Sequence, residues 1–221
     1  MISVADLLAT TPTASSNYFA ASTYVHSDLE LGLLENRSGS RLLAIPDTLV
    51  KALYAGLEQE TGLAARLVLE NCGRWWGKNF YRRFSEELSH HYGQPLSELP
   101  MAEFIQSLQQ CWISHGWGRM DFDPSLANQG FLLIKTWNSP FAAQAPQMNR
   151  PVCFLDAGIL ASFFSVLTGQ DLNCLQLSCE SMGAAYNCFV LGLPERLTVA
   201  EALVEEQVDA KAILQQLTEN E

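Results

Sequence analysis

Three cysteines in the last third of the chain, Cys153, Cys179 and Cys188, fall in the pattern C-x22-Q-x2-C-x8-C, with Gln176 as its second member. Thiols are soft metal ligands and, once ionised, nucleophiles. The residues between the first two landmarks read as a helix and those between the last two as a hairpin, an order that brings distant sulfurs together. The opening residues lack the basic stretch and continuous apolar run of a secretory signal. Six cysteines in such a chain read as free thiols or metal ligands, not as a disulfide framework. Cys174 lies two residues from Gln176 and would share a strand face with it. Cys72 and Cys111 fall outside the pattern and read as core residues.

Other chemistry is sparse. No G-x-G-x-x-G follows a strand, and no H-E-x-x-H or G-x-S-x-G occurs. His115 stands alone near a helix end and reads as a capping or surface group. The chain is therefore not expected to be an enzyme. Binding is better supported, because five tryptophans and eleven phenylalanines are many for 221 residues. Ligand pockets are lined mostly by apolar and aromatic side chains. Trp76 and Phe80, which flank Gly77, are the first choices for a pocket, with Gly73, Trp75, Phe104 and Trp112 beside them. Most of these aromatics must also serve the core.

The elements that would position these residues alternate between helix and strand. Residues 1–27 are expected to form a flexible arm and 28–221 a single domain, with its core motif at 151–193. Residues around 30–45 read as two short strands about an Asn-Arg-Ser-Gly-Ser turn. Pro46 opens a helix with Asp47 or Thr48 as its cap. A long helix runs from 62 to about 92, on which Gly73 and Gly77 sit one turn apart and imply close approach by another helix or by a ligand. His90 and His91 in its last turn suit the helix dipole but diverge too much to share a metal. A further helix spans 101–114. A strand over 131–137 has a candidate antiparallel partner at 119–125. An almost wholly apolar helix, 152–168, must be buried on most sides. Strands at 172–181 and 185–193 follow, then one amphipathic helix over 198–218.

Charge excludes some partners. The net charge of −11 argues against a phosphate-binding surface and hence against nucleic acid. The basic residues Arg74, Lys78, Arg82 and Arg83 read as a solvated helix face. No run of about 18 apolar residues suggests a membrane span, so the expected location is cytoplasmic.

The segment CFLDAGILASFFSVLTGQ and, downstream, LQLSCESMGAAYNCFVL resembles the 4-vinyl reductase domain family. The matching landmarks are Cys153, Gly158, Gly169, Cys179, Gly183, Cys188 and Phe189. The resemblance implies a mixed α/β (α+β) fold, an antiparallel sheet packed with helices, of the kind shared with TRAPP small subunits and haem-NO-binding domains. It further implies an enclosed apolar or aromatic small molecule. In the family's effector sensors three cysteines and a glutamate hold zinc. Carried onto this chain, those positions are Cys153, Cys179 and Cys188, with Gln176 where the glutamate would be. A neutral amide is a poor zinc donor; water, Cys174 or Glu180 would have to complete the set, or the thiols simply pack as small hydrophobes. The upstream VLENCGRWWGKNF resembles cyanobacterial members linked to photosystem II assembly. That likeness implies a tetrapyrrole ligand, a photosystem or other protein partner and peripheral attachment to a thylakoid membrane; a homodimer through the long helices is expected whichever function holds. An effector-sensing module that signals to a protein partner, and a scaffold without a ligand, are the alternatives.

Overall fold

The structure is a computed structural model that describes residues 17–145 and 150–219. In chain order its elements are helix α1 (Ala21–Tyr24), strands β1 (Val25–Asp28), β2 (Leu33–Asn36) and β3 (Arg41–Leu42), and helix α2 (Asp47–Thr61). A 3-10 turn, Gly62–Ala64, leads into the long helix α3 (Ala65–Tyr92), followed by α4 (Met101–Ser114). Then come β4 (Arg119–Asp123), β5 (Leu132–Trp137), the short α5 (Pro140–Ala143), α6 (Phe154–Thr168), β6 (Asn173–Ser178), β7 (Asn187–Gly192), α7 (Pro194–Glu205) and α8 (Ala210–Glu219). The described residues group into two compact units.

The first unit comprises residues 17–45 and 83–117. Its sheet is β1-β2-β3, antiparallel throughout. The expected hairpin is β2–β3, and β1 adds a third strand. Residues 1–16 of the expected arm lie outside the described residues. From Asn17 the chain is folded, because the arm carries aromatic rings that gain by leaving water. Phe19 is 1% exposed and stacks on Phe84 with ring centroids 5.3 Å apart.

The second unit comprises residues 46–82 and 118–219. Its sheet has the order β4-β5-β7-β6, all neighbours antiparallel. Strand alternation divides its side chains between two faces. Phe122, Ile134 and Phe189 share one face through the pairs Phe122↔Ile134 and Ile134↔Phe189. Helix α6 covers that face, with Phe164 against Phe122 at 6.2 Å. Its residues from Asp156 to Phe164 are all buried, as its apolar composition requires. Leu133, Leu175, Cys188 and Val190 form the other face and make one core cluster with Leu197 and Ala200 of α7 and Ile213 and Leu217 of α8.

Two local expectations are corrected. The single helix expected over 198–218 is two helices, broken at Gln207, whose φ is +62°. The break lets Leu197 and Ile213, from different helices, enter the same cluster. Asp47 does not cap α2; it is the first helical residue after Pro46, and its carboxylate accepts from Gln144 Nε2 at 2.7 Å.

Candidate functional site

The seven residues expected to line a pocket are placed as follows. Gly73 and Gly77 face α6, not a cavity. A Cβ on Gly73 would overlap the Leu155 carbonyl oxygen and stand 3.1 Å from the Gly158 Cα. A Cβ on Gly77 would overlap Ser162 Oγ. The two helices therefore meet backbone to backbone, the close approach by a helix that the glycine spacing implied. Trp76 and Phe80 stack on each other at 5.3 Å, and Phe80 continues to Phe163 at 5.2 Å, as core. Trp75 is 72% exposed. In the other unit Phe104 and Trp112 are buried, and Trp112 Nε1 donates to the Trp117 carbonyl at 3.0 Å. None of the seven lines either of the two cavities of the second unit described below.

The residues of the cysteine pattern are only partly brought together. Cys153 occupies the cap position of α6, and its Sγ lies 3.7 Å from Cys179 Sγ. Gln176 points to the same place, accepting from the Cys153 backbone N–H at 2.9 Å. Cys188 does not join them. It pairs with Lys135 and Ser178 across the sheet, and its side chain belongs to the opposite core cluster. The residue that stands beside Gln176 is Asn187, one position earlier. Gln176 Nε2 donates to Asn187 Oδ1 at 3.4 Å.

Asn187 extends this into a buried clasp. Its Oδ1 also accepts from the Glu180 N–H at 2.9 Å, and its Nδ2 donates to Glu180 Oε2 at 2.7 Å and to Thr136 Oγ1 at 3.2 Å. The Glu180 carboxylate in turn takes the N–H groups of Asn138 at 2.8 Å and Ser139 at 3.1 Å. Asn138 has φ +57°, so the carboxylate holds the end of β5 in a turn that a non-glycine residue seldom adopts.

Electrostatics mark the same region. The hydrogen bond with Cys153, helped by Ser181, lowers the Cys179 thiol to about 6. That same bond, with burial, pushes Cys153 well above the ordinary thiol value. Asp156, in the first turn of α6, is buried and raised to about 7 by desolvation. Its Oδ2 accepts from Ser139 Oγ at 3.4 Å, and its Oδ1 has no hydrogen-bond partner among the described residues. The buried Tyr54 hydroxyl likewise has none, and burial raises its pKa.

A structural zinc needs four good donors. The sulfur pair alone has suitable spacing: thiolates with bonds of about 2.3 Å in a tetrahedral array stand about 3.8 Å apart. The other positions do not fit. Cys188 is on the wrong face, Gln176 and Asn187 are neutral amides engaged with each other, and Glu180 is bound to backbone N–H groups. Among the described residues no three His, Cys, Asp or Glu side chains are placed to share an ion. The residues present do not fit the expected zinc clamp.

Two cavities adjoin the start of α6. One, of about 440 Å³, is lined by Cys153 and Gln176 together with Glu70, Asn173, Glu201 and Glu205. The other, of about 250 Å³, is walled by Tyr54, Leu63, Leu69, Val152 and Phe154. Arg66, Arg150 and Phe154 line both and so form the wall between them. Sequence reasoning missed Asn187, Asp156, Tyr54 and Arg150. Only the strand register could have exchanged Asn187 for Cys188, and the other three carry no motif.

Residues 133–193 match the V4R domain. That V4R segment runs from β5 through α6 to β7 and contains every residue of the clasp. It meets the resemblance to the 4-vinyl reductase family drawn from the sequence. No curated protein matches the chain. Among solved structures, the chain is similar to the phenol-responsive sensory domain of the transcription activator PoxR, solved with phenol, at TM-score 0.67 and 16% identity, over 87% of this chain and 96% of that one. A vinyl-4-reductase family protein from Methanocaldococcus jannaschii aligns at TM-score 0.43 and 17% identity, over 68% and 82% of the two chains. Subunit 3 of a trafficking protein particle complex from Naegleria fowleri, covalently bound to palmitic acid, aligns at 0.48 and 12%, over 66% and 94%. The first of these shows that the expected mixed α/β fold extends well beyond the V4R segment.

Proposed function

We propose that the chain is a non-enzymatic binding domain for an apolar or aromatic small molecule, and that the 250 Å³ cavity is its site. The cavity itself carries the reading: an apolar pocket beside the first turn of α6, within the V4R segment, with Tyr54 and Arg150 in its lining. Such pockets combine apolar walls with a few orienting polar groups. The fold shared with the PoxR sensory domain supports the same class of function. No helix among the described residues is long and apolar enough to cross a membrane.

The test is titration of the labelled protein with phenol, followed by NMR. Shifts should concentrate at Tyr54, Leu69, Val152 and Phe154 and vanish in the cavity-filling variant Leu69→Trp. Shifts scattered over the surface, or none, would remove the proposal. A tetrapyrrole serving photosystem II assembly is the finer form of the proposal, resting on the sequence resemblance. A macrocycle exceeds 250 Å³ and would need the neighbouring 440 Å³ as well. Titration with a bilin tests it separately: an unchanged absorbance spectrum would discard the tetrapyrrole and leave the smaller ligand standing.

A further inference from the structure

We infer that the two cavities form one site for an anionic amphipathic ligand, a single aromatic ring or short apolar chain bearing a carboxylate or sulfonate, with Arg150 as its charge anchor. This rests on the small-molecule reading above and narrows it to a ligand class.

The wall between the cavities supplies the first observation. Of its two cations, Arg66 is already engaged, 3.5 Å from Glu205 and over the Phe154 ring at 5.1 Å. Among the described residues Arg150 has no ion pair, and its buried Nε has no hydrogen-bond partner. The carboxylates of the larger cavity are held by others: Glu70 by Arg74 at 3.1 Å, Glu201 by Asn173 at 3.0 Å, and Glu205 by Arg66. A guanidinium keeps its charge at any physiological pH and presents a planar fork of donors. Buried donors without partners are rare in folded proteins, and a carboxylate or sulfonate satisfies that fork in two places at once.

The second observation is independent of Arg150. Phe154, which lines both cavities, is the first residue of the 15-residue α6, and no side chain caps that helix. The positive end of its dipole lies at the same place, with the Asp156 carboxyl in its first turn and the Phe154 N–H donating to the Val152 carbonyl at 2.9 Å. Leu63, Leu69, Val152, Phe154 and the Tyr54 ring then supply an apolar slot of about 250 Å³, room for one ring. Anion anchor and apolar slot meet at Phe154.

The experiment uses the full chain and three probes of one shape: benzoate, phenol and benzylamine, titrated calorimetrically at neutral pH. Benzoate should bind at least about tenfold more tightly than phenol, and benzylamine more weakly than either. Arg150→Met should weaken benzoate by about 10- to 100-fold, the range of hydrogen bonds to charged groups, and phenol by no more than about threefold. Arg150→Lys, which keeps the charge and loses the fork, should fall between. Equal affinities for benzoate and phenol, or an Arg150→Met variant that binds benzoate like the parent, would overturn the anionic assignment and leave the apolar site standing. Failure of all three probes to bind a protein with intact circular dichroism would overturn the anionic ligand and the underlying small-molecule reading together.

Discussion

Replacing Asp156 by asparagine should make the protein less sensitive to alkali, by an amount the structure sets. The carboxyl titrates at 3.8 in an exposed chain and at about 7 in the fold, chiefly because burial penalises its charge. The unfolded chain therefore releases this proton first. Below pH 4 both states hold it and it does not oppose folding. Between pH 4 and 7 each pH unit costs the native state about 1.4 kcal/mol, roughly 4 kcal/mol in all, and above 7 the loss levels off. Cys179 acts in the opposite direction. Its thiol is lowered from 9.0 to about 6, so its contribution grows as pH rises through that interval. The total pH profile mixes the two, and the difference between parent and Asp156→Asn isolates the carboxyl. Urea unfolding followed by circular dichroism at pH 5, 6, 7 and 8 should show the parent losing about 2 kcal/mol relative to the variant from pH 5 to 7, then only about 0.4 kcal/mol more by pH 8. Parallel curves across the range would refute the reasoning, because they would mean an ordinary, solvated carboxyl.

Three further outcomes follow from the geometry. Gly73→Ala should destabilise by about 2 kcal/mol or more, since its methyl would overlap the Leu155 carbonyl, whereas Gly56→Ala, in open space on α2, should stabilise by about 0.5–1 kcal/mol; thermal unfolding of both reads the contrast. Protein prepared without an affinity tag should hold no stoichiometric zinc by elemental analysis, and Gln176→Glu with Asn187→Cys should acquire it beside the existing sulfur pair, while Cys188→Ala in that background should not remove it. Glu180→Ala should cost about 3 kcal/mol and speed amide exchange at Asn138 and Ser139, whose N–H groups it accepts; unaltered exchange there would refute its role as a fastener.

The fold was largely legible from periodicity. The spacing of Phe104, Leu108, Cys111 and Trp112 predicts the helix over 101–114, and α4 spans those residues. The apolar run after Cys153 predicts a buried helix, and α6 is one. The site was less legible, because strand parity is a matter of single residues. The register shifts between Gln176 and Ser178, so the residue opposite Cys188 is Ser178 and both point away from Gln176. Spacing alone cannot reveal such a bulge, since it depends on how two strands pair. Arg150 and Asp156 were invisible for another reason. Their interest lies in the partners they lack, and a lack of partners is a property of the folded neighbourhood. Of the aromatics between 75 and 117, Trp76 stacks on Phe80 and Trp112 meets Trp117 edge to face, contacts that no spacing announces.

The crossing of α3 and α6 is a fulcrum. Gly73, Gly77 and Gly158 put main chain against main chain, and main chain has no rotamers to exchange. The larger cavity lies just beyond this crossing, with Arg66 and Glu70 on one arm and Phe154 and Ala157 on the other. Side-chain rearrangement at the crossing cannot widen that cavity; only a tilt of one helix on the other can. Substitutions at the pivot therefore reach the cavity without touching its lining.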